Sequence, residues 1–132
     1  MKREILFRGK DVNTGEWFEG DIITNPNNGA QDCILELKGK PRRFTSIDPE
    51  TIGQFTGLTD KNGVKIFEGD ILTYTDVYSK VLLPVSFLFG KFMKQEIRPD
   101  SHKWLHTSDH WFDLSFAYER NEVIGNIYDK VK

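Results

Sequence analysis

Cysteine is nearly absent from this 132-residue chain: Cys33 stands alone. No internal disulfide and no cysteine-built metal site is then possible. A lone thiol suits a reduced setting, and Cys33 in Cys-Ile-Leu-Glu-Leu reads as a small apolar strand residue. An excess of charge is missing too. Eighteen Lys and Arg stand against twenty Asp and Glu, a net charge of −2. The two halves share that balance: residues 1–57 hold eight cations and nine anions, residues 58–132 ten and eleven. That is unlike the strongly basic footprint of a protein that lives on phosphate backbones. Long apolar runs are also lacking. The longest, Val81 to Phe89, is broken by Pro84 and Ser86, well short of the roughly 20 residues that span a bilayer. The opening Met1-Lys2-Arg3-Glu4-Ile5-Leu6-Phe7 is too brief an apolar core for a signal peptide. A cytoplasmic protein without membrane contact is expected. No glycine-rich phosphate loop, Gly-x-Ser-x-Gly or paired nucleophile and base is present.

What is abundant is aromatic residues, at 13%, with ten Phe, four Tyr and three Trp. Aromatics favour strands, and the patterning agrees. Strands are expected at Glu4–Arg8, Trp17–Thr24, Asp32–Leu37, Arg43–Ile47, Thr51–Phe55, Gly69–Tyr74, Lys80–Phe89, Lys91–Ile97 and Val123–Tyr128. Gly90-Lys91 suggests a hairpin between two of them. Asp48-Pro49-Glu50-Thr51 predicts a cap followed by one helical turn. Asp60-Lys61-Asn62-Gly63 predicts a tight turn, because Asn and Gly tolerate positive φ. Helical signal is scarce. Its one segment runs from Ser108 or Asp109 to Arg120, with Trp111, Leu114 and Tyr118 at spacings of three and four.

One phrase occurs twice. Phe18-Glu19-Gly20-Asp21-Ile22 and Phe67-Glu68-Gly69-Asp70-Ile71 each follow a polar turn, Asp11 to Gly15 or Asp60 to Gly63. A second echo closes each half: Thr51-Ile52-Gly53-Gln54-Phe55 and Val123-Ile124-Gly125-Asn126-Ile127. The reading is a duplicated β-unit, with a bend or close backbone approach at Gly20 and Gly69. Asp21 and Asp70 are then expected to serve the same local turn geometry, rather than act as a glycosidase-like carboxylate pair. The expected fold is mostly β. It is one domain, 1–132, of two pseudo-repeated barrels or half-barrels of SH3-like size, about 1–57 and 58–132, with a short helix near 109–120.

The run Pro49-Glu50-Thr51-Ile52-Gly53-Gln54-Phe55-Thr56-Gly57-Leu58, then Asp60-Lys61-Asn62-Gly63 and Phe67-Glu68-Gly69-Asp70-Ile71, resembles the YopX family of bacteriophage and prophage proteins. So do the opening Phe7-Arg8-Gly9-Lys10-Asp11 with Trp17-Phe18-Glu19-Gly20, and the closing Val123-Ile124-Gly125-Asn126-Ile127-Tyr128. The resemblance implies a mostly-β fold, a phage or prophage origin and so a bacterial host cytoplasm. It brings no catalytic residue with it.

Three site readings follow. The first is a partner surface at Trp104, Trp111, Phe112 and Tyr118, since Trp and Tyr dominate interface centres. It makes the chain a non-enzymatic accessory protein that binds a host or phage protein, and self-association suits the same surface. The second is nucleic-acid binding through Lys38, Lys40, Arg42 and Arg43 on a hairpin spanning 38–44, with Phe44 and Trp17 as stacking platforms. The third is a small metal-dependent enzyme using His102, His106 and His110, which a continuous helix would align. Thr107-Ser108-Asp109 looks like a helix start and would break that register. A calcium loop at Asp60 is excluded: Gly63 falls at position four rather than six, and Ile71 stands where position twelve needs Glu. No cofactor is expected.

Overall fold

A computed structural model of the chain describes residues 4–24, 32–37, 39, 41–74, 82–88, 91–95, 111–114 and 117–129, the side chains at 88, 111, 118 and 119 excepted. The chain divides into two compact units, Met1–Phe55 and Thr56–Lys132. Both are built from antiparallel strands.

In the first unit the strands are β1 (Phe7–Lys10), β2 (Trp17–Ile23), β3 (Cys33–Glu36) and β4 (Phe44–Ser46), followed by the start of β5 (Gly53–Thr59). Hydrogen bonding runs β4-β3-β2-β1-β5. Leu6, Ile34 and Ile47 are buried at its centre. The turn from β1 to β2 is closed by Asp11, whose Oδ1 accepts from the backbone N–H groups of Asn13 and Thr14 at 2.7 and 3.3 Å. Gly15 there adopts φ 73°, which a residue with a Cβ resists. The Asp48 carboxylate caps a 3-10 turn at Pro49–Thr51 by accepting from Glu50 N–H at 3.1 Å, as the Asp-Pro pair predicts. Arg8 stacks on the Trp17 ring with its guanidinium carbon 4.6 Å from the centroid, and Lys10 approaches the same ring at 5.4 Å.

In the second unit the end of β5 is hydrogen-bonded to β6 (Lys65–Phe67). The remaining strands are β7 (Asp70–Tyr74), β8 (Leu83–Leu88), β9 (Lys91–Gln95), β10 (Trp111–Asp113) and β11 (Asn121–Asn126), with one helical turn, α1 (Ala117–Arg120). Their order is β10-β9-β8-β7-β11. Ile66, Leu72, Leu83, Val85, Leu114 and Ala117 form a core, flanked by Tyr74, Phe92 and Val123. β8 divides its pairing: Leu83 and Pro84 face β7, whereas Val85 to Leu88 face β9. Asp60, 2% exposed, ties this unit together. Its Oδ1 accepts from Asn62 and Val64 N–H at 2.8 and 2.9 Å, and its Oδ2 from Val123 N–H on β11 at 2.9 Å.

The chain is mostly β with two antiparallel sheets. Among the described residues neither sheet closes into a barrel, since β4 and β6 end one and β10 and β11 the other; closure needs those ends to pair. The helix expected near 109–120 is corrected. Trp111–Asp113 is a strand on the open edge of β9, and among the described residues of this stretch helix is found at Ala117–Arg120. Two aromatics in three residues suit a strand, and the edge of β9 supplies backbone partners.

The twin phrases part company. Phe18 to Ile22 lies wholly within β2, where Gly20 sits between Phe7 of β1 and Glu36 of β3. A Cβ on Gly20 would collide with the Leu35 carbonyl oxygen, so close approach, and no bend at positive φ, explains this glycine. Gly69 instead turns the chain between β6 and β7 at φ 92°. The Asp70 carboxylate closes that turn by accepting from Phe67 N–H at 2.8 Å. Asp21 does not share its role: it is exposed and pairs with Arg42 at 2.8 Å.

Candidate functional site

Residues directly paired across antiparallel strands point to the same face of a sheet. The registers Leu72↔Leu83, Val85↔Lys94 and Lys94↔Phe112 therefore put those side chains on one face. Tyr74 joins it two residues after Leu72, and Asn121 and Val123 join it opposite Tyr74 and Leu72. This is the face that buries the core. Two residues on it break the pattern: Lys94, only 6% exposed, and Asn121, fully buried.

The Lys94 ammonium donates to Asn121 Oδ1 at 2.7 Å and lies 5.5 Å from the centre of the Tyr74 ring. Between β9 and β11 stand β8 and β7. In a flat sheet three strand spacings would come to about 14 Å, farther than these two side chains reach. The sheet is thus curled around its core face, and the curl brings Lys94 to Asn121. Asn121 is fully buried, and its Nδ2 donates to the Thr73 carbonyl at 3.4 Å, which orients the amide oxygen toward the lysine.

Around Lys94 lies an open cleft of about 320 Å³, lined by Tyr74, Lys94, Phe112, Asp113 and Arg120. Burial holds the Lys94 pKa below the usual lysine value of 10.5; Asp113 opposes that shift and Arg120 adds to it. Among the described residues the cleft is therefore lined by two cations, one carboxylate and two aromatic rings. It can hold an anion against the cations and an apolar body against the rings.

Lys94, Tyr74, Asn121 and Arg120 are all missed by motif reading. The signal available was the period-two row Phe92-Met93-Lys94, which places a lysine on the apolar face of a strand. Of the expected partner surface, Phe112 lies at the cleft, 40% exposed. Trp111 is in β10 and Tyr118 in α1, but their side chains fall outside the description, and Trp104 lies outside the described residues. So do His102, His106 and His110, and Lys38 and Lys40. Among the described residues no group of three or more His, Cys, Asp or Glu could hold a metal ion. Arg42 is engaged at both ends, with Nε donating to the Glu36 carbonyl and Nη2 to Asp21 Oδ2, each at 2.8 Å. Arg43 and Phe44 are exposed. Phe44 pairs with Leu35 and Leu35 with Asp21, so Trp17 lies two strands and four residues from Phe44. The two rings are not neighbours, and that of Trp17 is covered by Arg8 and Lys10. Cys33 is half-buried in β3. No helix among the described residues is long and apolar enough to cross a membrane.

The chain is similar to the crystal structure of protein EF1440 from Enterococcus faecalis. The TM-score is 0.55 and the identity 24%, over 96% of this chain and 94% of that one. At that identity the likeness speaks for the fold alone. No curated protein matches the chain. The family model described as YopX protein matches residues 6–132. From Leu6 onward, then, the strands and turns described above are those of a matched sequence pattern, and the chain belongs to the YopX family.

Proposed function

We propose that this chain is a non-enzymatic accessory protein of phage or prophage origin, and that it acts in the cytoplasm of a bacterial host by binding another protein. The observation that carries the reading is an aromatic extension of the core face in the second unit. Leu83 and Val85 on β8 are buried, but Phe87, next on the same face, is 53% exposed. Phe87 pairs with Phe92, their rings edge to face at 5.0 Å, and Phe112 lies beyond on β10. Large aromatics left exposed beside a packed core favour a partner that covers them.

The same reading holds the two units to be related by duplication, each of SH3-like size. The turns support this. Asp11 and Asp60 each accept from backbone N–H groups two and three or four residues on. Each carbonyl also accepts from the turn glycine, Gly15 at 3.0 Å and Gly63 at 3.1 Å.

The test is capture of tagged full-length protein from host lysate, with nuclease treatment and in parallel with a Phe87→Ser, Phe112→Ser variant. A protein enriched by the natural chain and lost with the variant supports the proposal. Nucleic acid enriched at low salt, and lost with Arg42→Ala and Arg43→Ala, would replace it with the basic-hairpin reading.

A further inference from the structure

We propose that Lys94 is a nucleophilic amine that condenses with small aldehydes. This goes beyond protein binding and does not draw on the exposed Phe87 surface. Lys94 is 6% exposed. Strand register sets it on the core face, with Val85 opposite it and Phe92 two residues before it. An apolar side chain at position 94 would continue that face. A lysine there loses most of its hydration, which disfavours the ammonium against the neutral amine. Lys94 also lines the cleft, so this buried side chain borders open space.

The contacts of Lys94 suit a nucleophile. Its acceptor among the described residues is a neutral amide, Asn121 Oδ1 at 2.7 Å, with the Tyr74 ring 5.5 Å away. A neutral amine keeps two N–H groups, so the bond to Asn121 survives deprotonation while a lone pair is set free. Of the charged groups about it, Asp113 of β10 favours the ammonium and Arg120 of α1 disfavours it, and burial outweighs both. A desolvated lysine near a second cation is an activated nucleophile. The amine lone pair attacks the carbonyl carbon, and the C=O electron pair moves to oxygen, which takes up the proton leaving nitrogen. The carbinolamine then loses its hydroxyl and the remaining N–H proton as water, and a C=N bond forms. Amine and aldehyde give imine and water, with no oxidant or reductant. A volume of about 320 Å³ lies at the small end of ligand sites, which suits a single-ring aldehyde.

The experiment is reductive alkylation of the full chain at neutral pH with benzaldehyde and cyanoborohydride, read lysine by lysine by peptide mass spectrometry. Cyanoborohydride delivers hydride to the imine carbon and fixes the adduct as a secondary amine. Lys61 and Lys91, both exposed, are the internal standards. Lys94 is expected to label at least about tenfold faster than either, because a larger share of it is neutral at that pH. The rise of its rate with pH should level off at lower pH than theirs. In urea that unfolds the chain, the three should label alike. Asn121→Asp puts a carboxylate at the ammonium in place of an amide. It should slow Lys94 by at least about tenfold and leave Lys61 and Lys91 unchanged, with amide dispersion showing an intact fold. Should that variant not fold, the comparison of native and urea-unfolded chain decides. The proposal is overturned if Lys94 of the folded chain labels no faster than Lys61 and Lys91, if its advantage survives in urea, or if folded Asn121→Asp leaves its rate unchanged.

Discussion

Lys94 shows how a single side chain can set the pH response of a fold. Its pKa is lowered by burial, with Asp113 of β10 opposing the shift, Arg120 of α1 adding to it, and Tyr74 and Asn121 facing the ammonium. Between that lowered value and 10.5 the unfolded chain binds more protons at this site than the folded one. Stability from this group therefore rises with pH across that window, and its full penalty is felt below it. Lys94→Met removes the slope. Urea titrations along a pH series should find the variant at its best relative to the natural chain at neutral pH, with the difference shrinking as pH climbs toward 10.5. A difference that stays flat would show that burial does not penalise the ammonium. Asp60 makes the opposite case, a buried carboxylate with three backbone donors. Asp60→Ala leaves those N–H groups without an acceptor and is expected to cost about 3 kcal/mol in chemical denaturation. Gly20→Ala should cost about as much, because the added carbon meets backbone and not a yielding side chain.

At the scale of elements, the strands differ in how well they are held. β7 is paired on both sides and carries Leu72, which is fully buried. Leu72→Ala is expected to destabilise by about 3 kcal/mol. β10 has three residues and, among the described residues, one partner strand. Hydrogen exchange should therefore find β10 amides opening well before those of β7. Equal protection would mean that β10 is held by more than its pairing with β9. The same contrast explains what could be read in advance. β2, β3, β7, β8 and β9 are legible because apolar residues recur along them and turn residues bound them. β6 was not anticipated: Lys65-Ile66-Phe67 is three residues between two turns, too short to show a period. β10 carries aromatics at spacings that also fit a helix, and the open edge of β9 settled the matter.

At the scale of the whole molecule, charge is spread evenly, and a net −2 on 132 residues gives no long-range field for an acidic polymer. Binding of the proposed protein partner should accordingly weaken only modestly between low and physiological salt, measured by titration of the captured complex. A steep linear fall of log affinity with log salt would point to phosphate contacts instead. Each unit also keeps a core of its own, Leu6, Ile34 and Ile47 in one and Leu72, Leu83 and Val85 in the other.

The sequence by itself determined the strand-rich fold, the capped turn at Asp48 and the tight turn at Asp60. These depend on sterics and hydrogen bonds within a few residues, and Asp, Pro, Asn and Gly carry them wherever they stand. The family was legible too, from runs such as Pro49 to Leu58 and Val123 to Tyr128. Only the tertiary structure decided the rest. Phe-Glu-Gly-Asp-Ile has the same local preferences in both copies, yet it is a strand where β1 and β3 flank it and a turn where Asp70 folds back on Phe67. Lys94 is one lysine among many until strand register sets it on the core face and the curl of the sheet carries it to Asn121. Neighbours brought together from distant parts of the chain make that cleft, and no local pattern of residues encodes their meeting.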